Sequence, residues 1–319
     1  MNKAATSETE ARPASHLESL LRAGRFAITG EVTPPTSCDP DDLLAKALPL
    51  RGLADAVNVT DGASARAHLS ALVAAQILVR AGIEPILQLT CRDRNRIALQ
   101  ADLIGAAASG IGNLLLLTGD DPSAGDQPET KAVFDLDSLG LTETARRLRE
   151  HGELPNGRKV GGAARFFIGG ADAPIDPPPG WTPDKLAAKV AAGTDFVQTQ
   201  FCMDMGVVRR YVERLAESGL GGRPFVLVGI APLRSARSAL WMRENLYGTV
   251  IADSLIARLE GAADPDAEGR RIAVELIEEL ATIRGVAGVH VMAPNNGDAI
   301  GEVLAEARGR LKLDRPETV

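Results

Sequence analysis

Three polar side chains, Glu31, Asp120 and Gln200, stand at or near the ends of apolar segments, where they could take part in chemistry. Glu31 lies in GEVTPP, and apolar surroundings favour the protonated carboxyl group that a general acid needs. Asp120 closes LLLLTGD, and its carboxylate could stabilise positive charge that develops on a substrate. Gln200 lies in FVQTQF, and a buried amide must hydrogen-bond either to neighbours or to a ligand with amide-like edges. The set therefore indicates acid-assisted chemistry on a flat heterocycle.

Each of these residues also has a structural explanation. Glu31 could pair with a lysine or arginine across the barrel mouth, and Asp120 could start a loop, although Asp121 before Pro122 fits that role better. Gln200 shares a strand face with Gln198, because side chains alternate along a strand, and neighbours could satisfy both amides. His290 in VHVMAP is expected to be a hydrogen-bonded core histidine rather than a ligand-binding one.

The elements that must position these residues are eight short apolar segments, each ending in a polar or glycine-rich cluster and most of them followed by a helical pattern. A strand buried on both faces reads as a continuous apolar run, as a parallel sheet covered by helices requires. Eight such units in about 300 residues predict a single-domain (β/α)8 TIM barrel, whose active sites lie at the carboxyl ends of the strands. The segments are 26–31, 55–62, 85–93, 113–121, 165–172, 195–204, 224–232 and 287–296.

We expect residues 1–14 to form a disordered leader, 15–312 the barrel with a short N-terminal helix, and 313–319 a tail. The net charge of −7 and the pI near 5.3 argue against a nucleic-acid partner. No apolar run approaches the roughly 20 residues that span a bilayer, so no membrane partner is expected. Three widely separated cysteines without a CxxC pair predict neither a disulfide framework nor a metal site, and they suit a cytoplasmic enzyme.

Familiar nucleotide and catalytic motifs are absent from the sequence. No GxGxxG follows a strand, and no GxxxxGK[ST] occurs, so neither a Rossmann nor a P-loop phosphate cradle is predicted. No HExxH, GxSxG or clustered His/Cys set is found either. Metal-dependent hydrolysis and triad chemistry are therefore disfavoured.

The strand-end motifs, in their order along the chain, resemble those of the methylenetetrahydrofolate reductase family. The likeness covers roughly Phe26 to Leu311 and is carried by GEVTPP, NVTDG, LQLTC, LLLLTGDDP and GIAPL. The most specific match is AAKVAAGTDFVQTQFCMD, in which a helix with a lysine precedes a glycine and a strand that ends in TQF. Six motifs in register make the resemblance strong.

This resemblance implies a homo-oligomeric flavoprotein that binds FAD without a covalent bond. It would take hydride from NADH or NADPH and reduce 5,10-methylenetetrahydrofolate to 5-methyltetrahydrofolate by ping-pong turnover. Glu31 would be the acid that helps open the imidazolidine ring of the folate, Asp120 would stabilise the resulting cation, and Gln200 would hold the folate. The implied cofactor-binding positions are Thr60, Gln88, Thr118, Gly119, Asp120, Gly169 and Lys189.

Several positions depart from the family's usual pattern, which indicates a divergent branch. Thr118 stands where better-known members have Arg, Gln88 where they have His, and Asp61 where Tyr is common. An aromatic residue is missing near Ala236, and the loop 171–182 lacks the usual Tyr and His. Two alternatives stay open: an enzyme of the same family that mainly oxidises methyltetrahydrofolate, and a flavin-free folate barrel that passes a methyl group to a corrinoid protein.

Overall fold

The computed structural model describes residues 13–293 and 297–316. The predicted leader therefore lies outside the described residues except for Pro13 and Ala14. Residues 294–296, which end the last predicted strand segment, and 317–319 of the predicted tail also lie outside them.

Eight parallel strands form a closed barrel, which confirms the predicted fold. The barrel strands are β1 (Ala27–Val32), β2 (Ala56–Val59), β3 (Pro85–Thr90), β4 (Asn113–Leu117), β5 (Phe167–Asp172), β6 (Phe196–Met203), β7 (Phe225–Ile230) and β9 (Val286–Val291). A two-residue strand, β8 (Val250–Ile251), extends β6 outside the ring by pairing with Cys202 and Met203. The sheet runs β5-β4-β3-β2-β1-β9-β7-β6, and a pairing between β5 and β6 closes it.

Helices cover the outer face of the barrel, so most strand residues are buried on both faces; every residue of β2 and β3 is buried. No helix in the described ranges is long and apolar enough to cross a bilayer. The helices are α1 (His16–Arg22), α2 (Pro40–Ala47), α3 (Ala71–Arg80), α4 (Arg96–Ala108), α5 (Ser138–His151), α6 (Asp184–Ala192), α7 (Met205–Glu217), α8 (Ala236–Asn245), α9 (Asp253–Gly261), α10 (Pro265–Leu280) and α11 (Asp298–Leu311).

The short helix α1 closes the amino-terminal end of the barrel. Ser15 starts this helix as its N-cap, with its hydroxyl oxygen accepting a 3.0 Å hydrogen bond from the Glu18 amide. Leu17, Leu20 and Leu21 then pack against the lowest layer of inward side chains, which includes the stacked rings of Phe167 and Phe196. This plug leaves the carboxyl ends of the strands as the open end of the barrel.

Candidate active site

A cavity of about 710 Å³ opens at the carboxyl ends of the strands. Its wall comes from the ends of β1, β3, β4, β5, β6 and β9, from α6 with the loop before it, and from the segment before β8. This is the end of a (β/α)8 barrel where loops and strand ends build active sites. Its polar lining includes Glu31, Gln88, Lys189, Gln200, Tyr247 and His290.

The floor of the cavity is a hydrogen-bonded layer of side chains that point into the barrel. Asn58 Nδ2 donates to Gln198 Oε1 at 2.6 Å, and Gln198 Nε2 donates back to Asn58 Oδ1 at 3.0 Å. Gln198 Nε2 also lies 3.2 Å from the hydroxyl of Thr29. These buried polar groups satisfy one another, so Gln198 is held by the protein rather than left for a ligand.

Glu31 lies above this floor, at the end of β1. Its Oε2 atom is 3.6 Å from His290 Nε2 and 3.5 Å from Gln88 Nε2. No lysine or arginine of the described residues forms an ion pair with it, so the alternative of a paired structural carboxylate is not what the structure shows. The Glu31 carboxylate therefore lies beside an imidazole and an amide, and the residue also lines the cavity.

Gln200 lies next to an irregularity in the pairing of β6 with β7. The register shifts between Gln198 and Phe201, and the Thr199 hydroxyl accepts a 2.9 Å hydrogen bond from the Gly229 amide. Bulges of this kind re-aim side chains near active sites. Gln200 Oε1 accepts from the Phe201 amide at 3.0 Å, while its Nε2 has no acceptor among the residues that the structure describes. That amide nitrogen is available to a ligand in the cavity.

Lys189 reaches from α6 to the end of β5, where its Nζ donates to the Ala171 carbonyl. Burial lowers the pKa of this amine, and the nearby Asp172 carboxylate partly opposes the shift. Asp172 in turn accepts a hydrogen bond from the Tyr211 hydroxyl. The amine thus lies in the cavity wall without a side-chain ion pair in the described part of the chain.

Four of the predicted site residues lie at the open end but outside the cavity lining. Thr60 is buried at the end of β2, and its hydroxyl has no partner among the described residues. Thr118 and Asp120 are exposed, and the Thr118 hydroxyl accepts from the Ser138 amide at 3.2 Å. Gly119 has φ +94°, and a Cβ there would lie 3.0 Å from Arg92 Cβ. A tight turn beside the end of β3 therefore explains why this position is a glycine. Its predicted contact with a ligand stays a prediction.

Gly169 lies below the cavity, in the wall of the barrel interior. A Cβ at this position would come within 2.7 Å of Phe196 Cε2 and 2.8 Å of the Leu114 carbonyl oxygen. The missing side chain makes room for the Phe196 ring, which is a packing explanation for this glycine. The predicted cofactor contact of Gly169 has no support in this arrangement and stays untested.

The arginines near the ends of β3 are engaged by local carboxylates. Arg94 pairs with Asp61 and Asp102, and Asp61 also accepts from the Thr90 amide at 2.8 Å. The pKa of Arg92 is raised mainly by its hydrogen bond to Asp93. These arginines are therefore already paired with carboxylates at the rim of the barrel. The lysines of α6 are left to supply positive charge to the cavity.

Sequence reasoning missed several residues of the site. Tyr247 and Trp181 line the cavity from connecting segments, whose place relative to the strand ends no periodic pattern reveals. His290 was expected to be a core histidine, and its Nδ1 does lie 3.0 Å from the Thr29 hydroxyl, but its other nitrogen faces Glu31. The signal that could have found it is a histidine near the carboxyl end of a barrel strand, where active-site residues concentrate.

A second concave feature lies on the outer surface of the barrel. A surface depression of about 740 Å³ lies between the outer faces of α4 and α5, but no strand end contributes to it. Within residues 13–293 and 297–316, no cluster of three or more His, Cys, Asp or Glu side chains could hold a metal ion. All three cysteines are unpaired thiols. The cavity at the barrel mouth is therefore the candidate active site.

Comparison with known proteins places the chain in a family. The model of the methylenetetrahydrofolate reductase family matches residues 16–308. A Caenorhabditis elegans protein named "probable methylenetetrahydrofolate reductase (NADPH)" is 27% identical over 253 residues, which are 77% of this chain and 35% of that protein. Methylenetetrahydrofolate reductase 1 of Schizosaccharomyces pombe is 25% identical over 70% of this chain and 35% of its own length. The chain thus spans about a third of the length of these relatives.

A solved structure shares the fold. It is a Clostridium thermocellum protein described as binding two copies of 5-methyl-5,6,7,8-tetrahydrofolic acid, with a TM-score of 0.60 and 12% identity over 93% of this chain and 99% of that one. At this identity the likeness concerns the fold alone. The family match covers nearly the whole barrel, from α1 into α11. The chain therefore belongs to the methylenetetrahydrofolate reductase family.

Proposed function

We propose that this chain reduces 5,10-methylenetetrahydrofolate to 5-methyltetrahydrofolate, with NADH or NADPH as the hydride donor. The observation that carries the proposal is that the Glu31 carboxyl group and the free amide nitrogen of Gln200 line one cavity at the open end of the barrel. The names of the two relatives support the same reaction, and the description of the Clostridium thermocellum protein supports a folate ligand for this fold.

Glu31 would donate the proton that the folate reaction needs. Opening the imidazolidine ring requires a proton on the ring nitrogen that leaves the bridging carbon, and a carboxyl group in the cavity wall can deliver it as a general acid. Gln200 would orient the folate, since its Nε2 can donate to an acceptor on the edge of the pterin. Trp181 and the leucines at the end of β4 would shield the reacting atoms from water.

Asp120 remains the proposed counter-charge for the cation that ring opening creates. It lies beyond the end of β4, at the same end of the barrel as Glu31, with its carboxylate exposed. Such a group would act on the substrate from the rim rather than from the cavity wall. The homo-oligomeric state is likewise a proposal that rests on the family.

The residues present fit FAD, the cofactor that the family implies. Lys189 and Lys185 in the cavity wall would face its phosphates, and Trp181 and Leu117 offer apolar surface to its flat ring. The Thr60 hydroxyl lacks a partner among the described residues, but it is buried outside the cavity lining, so its proposed contact with the cofactor rests on the family resemblance. When bound, FAD would supply the hydride-transfer chemistry that no side chain can provide.

The experiment uses the full chain, purified and then incubated with and without FAD. Its absorbance spectrum reports flavin binding, menadione reduction reports oxidation of NADH or NADPH, and methylenetetrahydrofolate consumption reports the folate reaction. We expect a flavin spectrum and both activities. Absence of folate turnover under every cofactor condition would overturn the proposal.

A second candidate is a flavin-free folate barrel that transfers a methyl group. The exposed positions of Thr118 and Asp120, outside the cavity where the family resemblance implies flavin contacts, favour it. This candidate predicts binding of 5-methyltetrahydrofolate without a flavin spectrum. Rates measured in both directions separate the proposed reductase from the oxidase alternative within the family.

A further inference from the structure

Tyr211 of α7 reaches the wall of the cavity from behind. The residue is 1% exposed, and its hydroxyl donates a hydrogen bond to Asp172 Oδ2 at the end of β5. Its ring also packs beside Trp181, with 6.1 Å between the two ring centroids. Asp172 and Trp181 line the cavity, whereas Tyr211 is not part of the described lining. One buried side chain thus supports two residues of the wall.

The roles of donor and acceptor in the Tyr211–Asp172 hydrogen bond are fixed. An ionised carboxylate can only accept, so the proton lies on the tyrosine oxygen. Burial raises the pKa of Tyr211 far above its usual value, and the negative charge of Asp172 adds to the increase, so the hydroxyl stays protonated. A buried tyrosine hydroxyl needs a partner, and within residues 13–293 and 297–316 Asp172 is the only acceptor for it.

Lys189 of α6 lies near the same carboxylate without pairing with it. Its ammonium group has three donors, of which the carbonyl of Ala171, the residue before Asp172, takes one. Burial lowers the pKa of this amine, and Asp172 is close enough to oppose part of that shift. The two side chains nevertheless form no ion pair in the structure.

The hydrogen bond from Tyr211 explains why these opposite charges stay apart. They attract each other in a partly buried site, where the effective dielectric constant is lower than in water. Turning the carboxylate from α7 toward the amine would leave the Tyr211 hydroxyl buried without an acceptor, which costs the desolvation penalty of that group. Tyr211 therefore opposes the closure of an Asp172–Lys189 ion pair.

Asp172 is the one carboxylate of the described residues that can neutralise Lys189. The charged side chains that act on this amine are Asp172 and Lys185. Asp184, which also lines the cavity, accepts a 3.0 Å hydrogen bond from the Thr182 hydroxyl. The position of Asp172 thus decides whether the positive charge of Lys189 is neutralised by the protein or offered to a ligand.

We propose that Tyr211 is a positioning residue for the cofactor: its hydroxyl holds the Asp172 carboxylate away from Lys189, so that the amine stays free to bind a phosphate group in the cavity. The proposed function enters only through the identity of the anion, which would be the diphosphate of FAD. An Asp172–Lys189 ion pair would have to open before the anion could replace the carboxylate, and binding would be weakened by the energy of that pair.

Carbon NMR of labelled lysines in the ligand-free protein tests the effect of Tyr211 on Lys189. The Cε signal follows the protonation of each amine, and the signal that is lost in Lys189→Met belongs to Lys189. Tyr211→Phe removes only the hydroxyl, and Asp172→Asn keeps the shape of the side chain without its charge. We expect the pKa of Lys189 to rise in Tyr211→Phe, because the released carboxylate then pairs with the amine. The double variant Tyr211→Phe/Asp172→Asn should show no such rise relative to Asp172→Asn.

FAD titration of the wild type and these three variants tests the consequence for the ligand. Tyr211→Phe should raise the dissociation constant of FAD roughly ten-fold, the worth of one charge-assisted hydrogen bond. Asp172→Asn should bind FAD at least as tightly as the wild type, and adding Tyr211→Phe to it should have no further effect. A purely structural role of Tyr211 would instead weaken binding equally, whether or not Asp172 is replaced.

An unchanged Lys189 pKa in Tyr211→Phe would overturn the proposal, and so would an equal loss of FAD affinity in the presence and absence of the Asp172 carboxylate. The NMR measurement needs neither FAD nor turnover. A protein that shows the expected rise in pKa but binds no FAD would therefore overturn the proposed cofactor, while the effect of Tyr211 on Asp172 would stand.

Discussion

Asn58 of β2 and Gln198 of β6 exchange two hydrogen bonds across the barrel interior, at 2.6 and 3.0 Å. The two strands are not neighbours in the sheet, so the pair ties opposite walls of the barrel together. Both side chains are buried, and the polar contacts continue from Gln198 through Thr29 to His290 and Glu31. The floor of the candidate site is thus a single connected polar layer.

Breaking this amide pair on one side should destabilise the fold. Gln198→Leu leaves the buried Asn58 amide without its partner, and we expect a loss of about 2 kcal/mol in the free energy of unfolding. The double variant Asn58→Leu/Gln198→Leu should lose less than the sum of the two single variants. Urea unfolding of all four proteins gives the coupling, and simple additivity would contradict the reciprocal pair.

Burial of the charged Lys189 amine should lower the free energy of unfolding of the ligand-free protein, by an amount that depends on pH. Burial lowers its pKa, so the folded chain binds this proton more weakly than the unfolded chain, where the ordinary value is 10.5. The penalty is fully present below the folded pKa and disappears as the pH rises through 10.5. The unfolding free energy of Lys189→Met relative to wild type should therefore be highest at neutral pH and decline toward pH 10.5.

The matched control for that experiment is Lys185→Met, an exposed lysine of the same helix that also lines the cavity. It should show no comparable pH-dependent difference. Both variants should weaken FAD binding if the two amines face the phosphates. A stability difference for Lys189→Met that grows as the pH rises toward 10.5 would contradict the buried-amine explanation.

Gly169 should prove to be a packing position. Gly169→Ala forces a Cβ against the Phe196 ring and the Leu114 carbonyl, and overpacking of this kind costs about 1–3 kcal/mol. Adding Phe196→Leu should recover part of that loss, because it removes the ring that the new methyl group meets. Thermal unfolding measures the recovery, and FAD titration of the double variant checks cofactor binding. Normal stability of Gly169→Ala together with lost FAD binding would favour the cofactor contact instead.

Tyr247 should contribute to ligand binding although it touches little in the free protein. Its side chain is 89% exposed, yet it lines the cavity, and the adjacent Gly248 lies beside Gln200. A ligand held by Gln200 would cover the ring and gain stacking worth about 0.5–1.5 kcal/mol. Tyr247→Ala should therefore raise the dissociation constant for 5-methyltetrahydrofolate about two- to twelve-fold.

Trp241→Ala is the control, because Trp241 is also an exposed aromatic residue but does not line the cavity. It should bind the folate like the wild type, and Tyr247→Phe should retain the affinity that the ring provides. Calorimetric titration of the four proteins with 5-methyltetrahydrofolate measures these affinities. Equal affinity for Tyr247→Ala and Trp241→Ala would rule out a stacking contribution from Tyr247.

The barrel could be predicted from the sequence because strands buried on both faces leave continuous apolar runs. Glu31 and Gln200 could be placed at its mouth because the end of a strand is legible in such a run, whereas Lys189 lies on α6 and was indicated only by the family resemblance. The polar layer could not be predicted, since Asn58 and Gln198 find each other only when strands far apart in the sequence close the ring. The turn at Gly119 directs Asp120 outward, and the periodicity of a strand carries no information about the path of the chain beyond its last residue.

The central claim is that Glu31 provides the proton for folate reduction in the cavity that it shares with Gln200. The most direct test compares Glu31→Gln with the wild type in FAD-supplemented protein, using menadione reduction by NADH or NADPH and methylenetetrahydrofolate reduction as paired assays. We predict near-normal menadione reduction and a loss of folate reduction on the order of 10²–10⁴-fold. Equal losses in both assays, or folate reduction at the wild-type rate, would contradict the claim.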